Sequence, residues 1–314
     1  MIELKQAMIL TAGMSTRMRP LTNSIPKILL PAFGKNLFYR MLDYCEAQGI
    51  TSTSMNLFHG KDFLQNTIDH SRHAVTTTPF EESHIRGTGG GISGMQSFIQ
   101  DDHFAVINCD FLTETVLKEM FKFHLQKNAL ATLLTIPVPK TGKYGTVKIA
   151  PTKMIESFSP QVPQRNIFAG IHIMSREIFK HMPSDHNFCI IENVYKPLLK
   201  QGAPIYAFCK DIPWYDLGEV KLYYDALFSI LKKPLSWMKD LHIGGSWIDE
   251  TVELTPQISY VNSIIEKGVS FEGECKFQNS LVFPHTTVKA GSYHHAILTP
   301  TDTIFDLHKT SISK

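Results

Sequence analysis

Apolar runs alternate along the first two thirds of the chain with segments whose apolar positions recur at helical spacing. Leu4 to Thr11 is a mostly apolar run and reads as a buried strand. A polar loop punctuated by prolines covers 12–31, and Leu37, Phe38, Met41, Leu42 and Cys45 then fall on one helical face, with Gly49 as the stop. The pattern continues with a predicted strand over 51–58, a helix over 61–70, and glycines 89–91 leading into another helix. A strand over 104–109, a helix capped by Thr113 and running to Gln126, and a strand over 129–136 follow. Such alternation is the sequence form of an α/β domain, a mostly parallel sheet flanked by helices.

The regularity loosens after Pro137. Short strands are predicted at 146–150, 167–174 and 204–210, and helices near 175–181, 192–201 and 219–231. Pro234 marks a change of texture, which predicts a main domain over 1–234 and a β-rich module over 235–314. From 261 to 298 apolar residues recur in short steps (Ile264, Ile265, Val269, Phe271, Cys275, Phe277, Leu281, Val282, Phe283, Val288) separated by Gly268, Gly273, Pro284 and Gly291. This rhythm fits one or two coils of a left-handed β-helix, or a few antiparallel strands. A stack so short must cover its ends on the main domain or on another copy of the chain, which makes a homo-oligomer an expectation.

Composition narrows the function classes. With 314 residues, 43% hydrophobic and 19% charged, the chain is long enough for a sizeable core. A net charge of +2 offers no global field for nucleic acid or a membrane, so attraction for an anion must come from a local cluster. The five cysteines lack C-x-x-C spacing, against structural zinc and a disulfide framework. No secretory pattern or membrane-spanning run is evident, so a cytoplasmic enzyme is expected. The 14 histidines show no metal-ligand spacing and read as surface or packing residues.

Candidate chemistry starts where the first strand ends. Leu10, Thr11, Ala12, Gly13, Met14, Ser15 and Thr16 lead into Arg17, Met18, Arg19 and Pro20, and Lys27 follows Pro26. Glycine and small residues let backbone N–H groups approach phosphate oxygens, an arginine forks onto two of them, and a lysine supplies a mobile charge. The bland alternative is a solvated basic loop. No G-x-x-x-x-G-K-S/T occurs, which excludes a P-loop, and the G-x-G-x-x-G at 89–94 follows a polar run rather than a strand. Gly87 to Gly91, with Thr88, reads as a loop entering a helix with its backbone pressed on a flat ligand. Asp110 stands after a hydrophobic strand, where it binds a ligand or caps a turn. Asp216 lies between Trp214-Tyr215 and Leu217-Gly218. Two such acids beside a phosphate loop point to magnesium, which takes one or two carboxylates and completes its shell with substrate phosphates.

Residues 7–38 together with Gly87–Ile92, Asn108–Asp110, Tyr144–Val147, Phe168–Ile171 and Trp214–Gly218 resemble, in order, the sugar-phosphate nucleotidyltransferase family. Heptose- and mannose-1-phosphate guanylyltransferases and N-acetylmuramate-1-phosphate uridylyltransferases are the subgroups most similar. The resemblance implies a Rossmann-like fold, a nucleoside triphosphate and a sugar 1-phosphate as partners, and a role in making nucleotide sugars for cell-surface polysaccharide. It makes 10–16 the nucleotide cradle, Arg17 and Lys27 the catalytic cations on the phosphates, and Asp110 and Asp216 the magnesium ligands. Glu82, Gly87 and Thr88 would face the base, and Gly145, Phe168, Ala169 and Gly170 would line the sugar pocket.

Three positions depart from the family pattern. Ser15 stands where many members have glycine, Cys109 replaces a glycine before the metal aspartate, and Phe158 is followed by Ser159-Pro160-Gln161 instead of Glu-Lys-Pro. Lys143, Lys148 or Arg165 is left to neutralise the sugar phosphate. A carboxylate at Glu82 would pair with guanine N1–H and its 2-amino group, which favours GTP unless Glu81 is the inward residue. UTP, a catalytically impaired nucleotide-sugar sensor, and cytidylyl transfer to a non-sugar alcohol phosphate are the alternatives.

Overall fold

A computed structural model describes residues 2–23, 25–58, 61–138, 144–159, 166–184, 187–241, 244–304 and 307. Its contacts divide the chain into two compact units, Met1–Met14 with Met41–Trp214, and Ser15–Arg40 with Tyr215–Lys314. The helices are α1 (Leu37–Gln48), α2 (Lys61–Asp69), α3 (Gly87–Gly94), α4 (Leu117–Gln126), α5 (Lys196–Lys200) and α6 (Val220–Lys232).

The first unit is built on a nine-stranded sheet. Strand Gln6–Leu10 lies parallel between Ser52–Leu57 and His103–Asn108, and Thr76–Glu81 extends the parallel run. Asn166–Ser175 returns antiparallel beside His103–Asn108 and Ala131–Pro137, and Ile205–Cys209 pairs parallel with the latter. Central parallel strands are covered on both faces, so they must be apolar throughout. Accordingly Ala7, Met8, Ile9 and Phe104 to Ile107 are wholly buried. Thr11, Glu82 and Asp110 all follow the carboxyl ends of parallel strands, the edge at which open α/β sheets bind ligands.

Differences from the expected elements have local causes. No strand is predicted over Thr76–Glu81; it is the sheet's edge, where threonines and Pro79 are tolerated. Ile155–Ser159, at the opposite edge, escaped in the same way. Thr113 does not cap α4. It ends a short strand, Phe111–Thr113, and donates to Pro213 O at 2.8 Å. Gln48 Oε1 instead accepts from Val116 N and Leu117 N at 3.0 and 2.7 Å, satisfying the first amides of α4. The helix predicted over 192–201 opens with a π-helical turn, Ile190–Tyr195, before α5. Burial lowers His124 and His172 to about 3, so both pack as neutral rings, His172 Nδ1 sharing a hydrogen bond with Tyr195 OH at 2.7 Å.

The second unit contains a parallel solenoid. Trp247–Ile248, Ile264–Ile265, Leu281–Val282 and Ile297–Leu298 stack in one parallel ladder, and Ile258–Val261, Ser270–Gln278 and Thr287–His294 in another. Among the described residues of the solenoid, only the closing strand, Thr303–Ile304, is antiparallel. The antiparallel alternative is thereby removed. The first two coils advance 17 residues and the last 16, so like stands above like: Ser263 N donates to Ser246 Oγ and Ser280 N to Ser263 Oγ. Asn262, Asn279 and His295 take left-handed φ values of 46°, 50° and 49° at successive corners. Their side chains form a ladder, Asn262 to Asn279 and Asn279 to His295. Val252, Ile265, Cys275, Phe277, Val282 and Leu298 fill the interior. Helix α6 lies along the stack in this unit, Tyr224 OH donating to Asn279 O at 2.5 Å. Among the described residues no helix is long and apolar enough to cross a membrane.

Candidate active site

In the first unit, the loop after the first strand is held at its root. Thr11 N donates to Asn56 Oδ1 at 2.7 Å and Thr11 Oγ1 donates to Asn56 O. Gly13 N then turns back onto Thr11 O at 2.8 Å. A Cβ at Gly13 would meet no atom within 4 Å, so this backbone faces open space. Leu10 anchors the segment in the core, Ala12 is half-buried and Met14 is exposed.

Asn56 reaches further. Its Nδ2 donates to Glu82 Oε1 at 2.8 Å, and Glu82 Oε2 accepts from Arg86 N at 3.3 Å. Glu82 is 3% exposed, whereas Glu81 points outward to Lys61. Glu82 is thus the inward residue, but both its oxygens bind the protein itself, and the guanine argument built on it loses its support. Gly87 to Gly91 also differs from expectation. It is the start of helix α3, and its glycines make room for protein groups. A Cβ on Gly89 would stand 2.3 Å from Phe188 Cε2, and one on Gly91 2.8 Å from Asn56 Nδ2. Gly87 has φ +67° and would meet Phe188 O at 2.7 Å. Thr88 Oγ1 accepts from Ile190 N at 3.1 Å.

Asp110 lies between strand His103–Asn108 and Phe111, half-buried. The expected sugar segment sits against it. Gly170, with φ +83°, interrupts its strand between Phe168 and His172, and a Cβ there would meet Phe111 Cε1 at 2.7 Å and Asn108 Nδ2 at 3.2 Å. Only glycine lets the strand approach so closely. Trp214 Nε1 donates to Ala169 O at 3.1 Å, its ring stacks on Phe111 at 6.0 Å, and Tyr144 meets it edge-on at 5.8 Å. Gly145 is exposed with open space at its Cβ position. Phe168 packs on His172 at 4.4 Å. Phe168, Ala169, Gly170, Gly145 and Asp110 therefore share one aromatic-walled corner of the first unit.

In the second unit, Ser15 adopts φ 48° and ψ 34°, the left-handed conformation glycine takes freely. Its carbonyl accepts from Met18 N and Thr22 Oγ1, both at 3.0 Å. Thr16, Arg17 and Met18 form a single 3₁₀ turn in which Met18 is buried and Arg17 projects outward. A Cβ at Gly218 would lie 2.9 Å from Asp216 Oδ1 and 3.4 Å from Arg17 Nη2, so this glycine seats the guanidinium beside the acid. Asp216 Oδ1 accepts from Gly218 N at 2.6 Å. Arg17 Nη1 approaches Glu219 Oε1 at 3.5 Å, with side chains 64% and 37% exposed; such a pair is worth little and easily exchanged for a ligand. Lys27 opens a second 3₁₀ turn, Lys27–Leu29, and is half-buried.

Among the described residues no group of three or more His, Cys, Asp or Glu forms a closed metal cage. Asp110 in the first unit and Asp216 in the second are each a hard carboxylate of the kind that magnesium takes. Of the lysines considered for the sugar phosphate, Lys148 pairs with Glu156 at 2.8 Å, while Lys143 and Arg165 lie outside the described residues, as does 160–165. Asn56 and Trp214 were not predicted as site-building residues. Asn56 is only 4% exposed in strand Ser52–Leu57, whose sequence of serines, threonine, Met55 and Leu57 gives no sign of that burial.

The sequence profile of the family described as "Nucleotidyl transferase" matches residues 6–233. A UTP–glucose-1-phosphate uridylyltransferase of Synechocystis is 29% identical over 259 residues, 76% of this chain and 66% of that protein. A mannose-1-phosphate guanylyltransferase of Mycobacterium tuberculosis is 25% identical over 293 residues, 91% of this chain and 81% of its own length. The fold is similar to that of HddC from Yersinia pseudotuberculosis (TM-score 0.63, 23% identity, 72% of this chain and 100% of that one). It is also similar to a UDP-glucose pyrophosphorylase solved with UDP-glucose (TM-score 0.64, 21% identity, 73% and 99%). With its loop, its glycine-seated arginine and its aspartates on the expected elements, the chain belongs to the nucleotidyl transferase family.

Proposed function

We propose that the chain transfers a nucleoside monophosphate from a nucleoside triphosphate to a sugar 1-phosphate and releases pyrophosphate. The observation that carries this reading is the segment from Thr11 to Arg17: clamped at its root by Asn56, open at Gly13, and ending in an exposed guanidinium beside Asp216. A phosphate oxygen of the sugar 1-phosphate bonds to the α-phosphorus, and the bond from that phosphorus to the bridging oxygen of pyrophosphate breaks. The nucleophile is already an anion near neutral pH, so no general base is required. What the protein must supply is positioning and charge dispersal. The backbone of 11–16 cradles the triphosphate, Arg17 stabilises the leaving pyrophosphate, and Lys27 bridges the phosphates. Asp110 and Asp216 would hold magnesium, which neutralises phosphate charge when bound. Phe168, Ala169, Gly170 and Gly145 line the sugar pocket, with Trp214 and Phe111 as its walls.

GTP is the first triphosphate to try, on the resemblance to guanylyltransferases rather than on Glu82. Relatives named for UTP and for adenylyl transfer keep the base an experimental question. Pyrophosphate release from each common triphosphate with a panel of sugar 1-phosphates is the test, and turnover with at least one pair is expected. No turnover with any pair, alongside tight binding of a nucleotide sugar, would replace this reading with that of a sensor.

A further inference from the structure

The hairpin Pro31–Ala32/Lys35–Asn36 ends the segment that carries Arg17 and Lys27, and its turn is unusual. Phe33 and Gly34 have φ 59° and 75°, a pairing normally filled by asparagine and glycine. Four backbone groups of this turn are bound by side chains. Arg40 Nε donates to Ala32 O at 2.9 Å and Arg40 Nη2 to Phe33 O at 2.7 Å. Glu266, from the solenoid, accepts from Phe33 N at 2.7 Å and from Gly34 N at 2.8 Å, one oxygen each. Arg40 Nη1 donates to both oxygens of Asp240 at 2.8 and 2.9 Å. Phe33 meets Trp247 edge-on at 5.9 Å, and Tyr223 OH donates to Pro31 O. Arg40 is fully buried and Glu266 is 1% exposed.

Burying such ions is costly against apolar packing, and what they give in return is a defined geometry. That geometry matters because the preceding stretch is incompletely backed. A cavity of about 680 Å³ separates Leu21, Ile25 and Leu29 from Phe283 and Pro284 of the solenoid. Buried Met18, Ile28 and Leu30 hold the loop elsewhere, and beside this cavity its anchor is the turn at 31–36.

We propose that Glu266 is a positioning residue for catalysis: with Arg40 and Asp240 it grips the turn at Phe33–Gly34 and so sets where Arg17 and Lys27 stand. The inference rests on the transferase reading above. It gives the C-terminal solenoid a part in the reaction, through a carboxylate that touches no substrate.

The grip is sensitive to protonation. Burial pushes Glu266 up to about 7, against the opposing pull of the Gly34 and Phe33 amides and Arg40 and with the help of Asp249. Tyr223 of α6 faces it too, and Lys35 and Lys267 line the neighbouring cavity. A carboxyl raised in the folded state favours folding at low pH, and that contribution is lost as pH rises through about 7. Global stability thus does not fall when Glu266 takes a proton. The turn does change, because one oxygen becomes an O–H donor facing an N–H donor.

Glu266→Gln, isosteric and unable to ionise, tests this in the full chain. Hydrogen exchange over 15–30 is expected to be about tenfold faster than in wild type, with 258–298 unchanged, and kcat/KM for the triphosphate to fall by about tenfold or more while KM for the sugar phosphate holds. The wild-type loss of kcat/KM below pH 7 beyond that of the variant isolates Glu266. Identical exchange over 15–30 in both proteins overturns the proposal, whatever the activity. Absence of turnover in wild type overturns the transferase reading, and exchange still decides the grip. Should Glu266→Gln not fold, Asp240→Asn must accelerate exchange in the same segment, and unchanged exchange there overturns the proposal equally.

Discussion

Two glycine-bearing segments of the first unit invite the same reading in sequence and do opposite work in the structure. At Gly13 the position a Cβ would take is empty, and the backbone faces solvent. At Gly89, Gly91 and Gly94 the missing Cβ is replaced by Phe188, Asn56 and Phe80. Glycine therefore leaves space open in one place and makes room for the protein in the other. Function is expected where the space is open, and stability where it is filled. Asn56 joins the two, binding Thr11 on one side and Glu82 beside Gly91 on the other.

The largest effect should come from the cations that follow the open segment along the chain. Arg17→Ala or Lys27→Ala is expected to lower turnover about a hundred- to thousand-fold, or roughly 3–4 kcal/mol, by analogy with other preorganised donors. Because Arg17 is 64% exposed in its side chain, its removal should leave the melting temperature nearly unchanged. Steady-state kinetics with the productive substrate pair, alongside a thermal melt, checks both halves. Near-wild-type turnover would dissolve the distinction between the segments.

In the filled segment the outcome should reverse. Gly89→Ala places a methyl group 2.3 Å from Phe188 Cε2 and 3.0 Å from Ile190 N, with Phe188 itself buried. Overpacking of this kind costs about 3 kcal/mol, which urea unfolding should register as a lower midpoint at constant slope. Unchanged stability would mean that Phe188 swings away freely, and that the space over Gly89 is available to a ligand after all.

How far each segment was legible follows from what sets its structure. Apolar runs at 104–107 and 7–9 are covered on both faces, so pattern alone places them in the sheet. Edge strand Thr76–Glu81 carries no such pattern, because only pairing with Ser52–Leu57 makes it a strand. The outward place of Arg17 was legible because a short polar loop between Gly13 and Pro20 has few apolar positions to bury it. The use of Glu82 was not, since its partners Asn56 and Arg86 N come from other elements. The solenoid left a stronger trace than its hexapeptide rhythm. Gly245-Ser246-Trp247-Ile248, Asn262-Ser263-Ile264-Ile265, Asn279-Ser280-Leu281-Val282 and His295-Ala296-Ile297-Leu298 repeat a corner, a small residue and two apolar ones. Arg40 lies off the helical face formed by Leu37, Phe38, Met41, Leu42 and Cys45, so the pattern did not announce its full burial.

The residue joining the segments offers a finer discrimination. Glu82→Ala leaves Asn56 Nδ2 and Arg86 N without their acceptor, a loss of about 2 kcal/mol for buried donors. Asn56 is then less firmly held under Thr11, so activity should fall with every triphosphate alike. The ratio of kcat/KM for GTP to that for UTP is the deciding measurement. A change in that ratio beyond about tenfold would make Glu82 a reader of the base, as a site built to hydrogen-bond it would require.

Ser15 yields the smallest effect and tests the open segment from within. Its φ of 48° brings a serine Cβ close to the following carbonyl, a conformation L-residues avoid by about 1–2 kcal/mol. Glycine removes that clash but loses more backbone freedom on folding, so the two terms partly cancel. Ser15→Gly should therefore stabilise by only about 0.5–1 kcal/mol. Ser15 O keeps its bonds from Met18 N and Thr22 Oγ1 in the variant, because both use the backbone carbonyl. The turn that presents Arg17 is then preserved, and turnover should stay within about twofold of wild type, a change below RT. A stabilised variant with turnover lowered tenfold would show that the serine hydroxyl itself meets the triphosphate, and that the open space at Gly13 is lined by a side chain as well as by backbone.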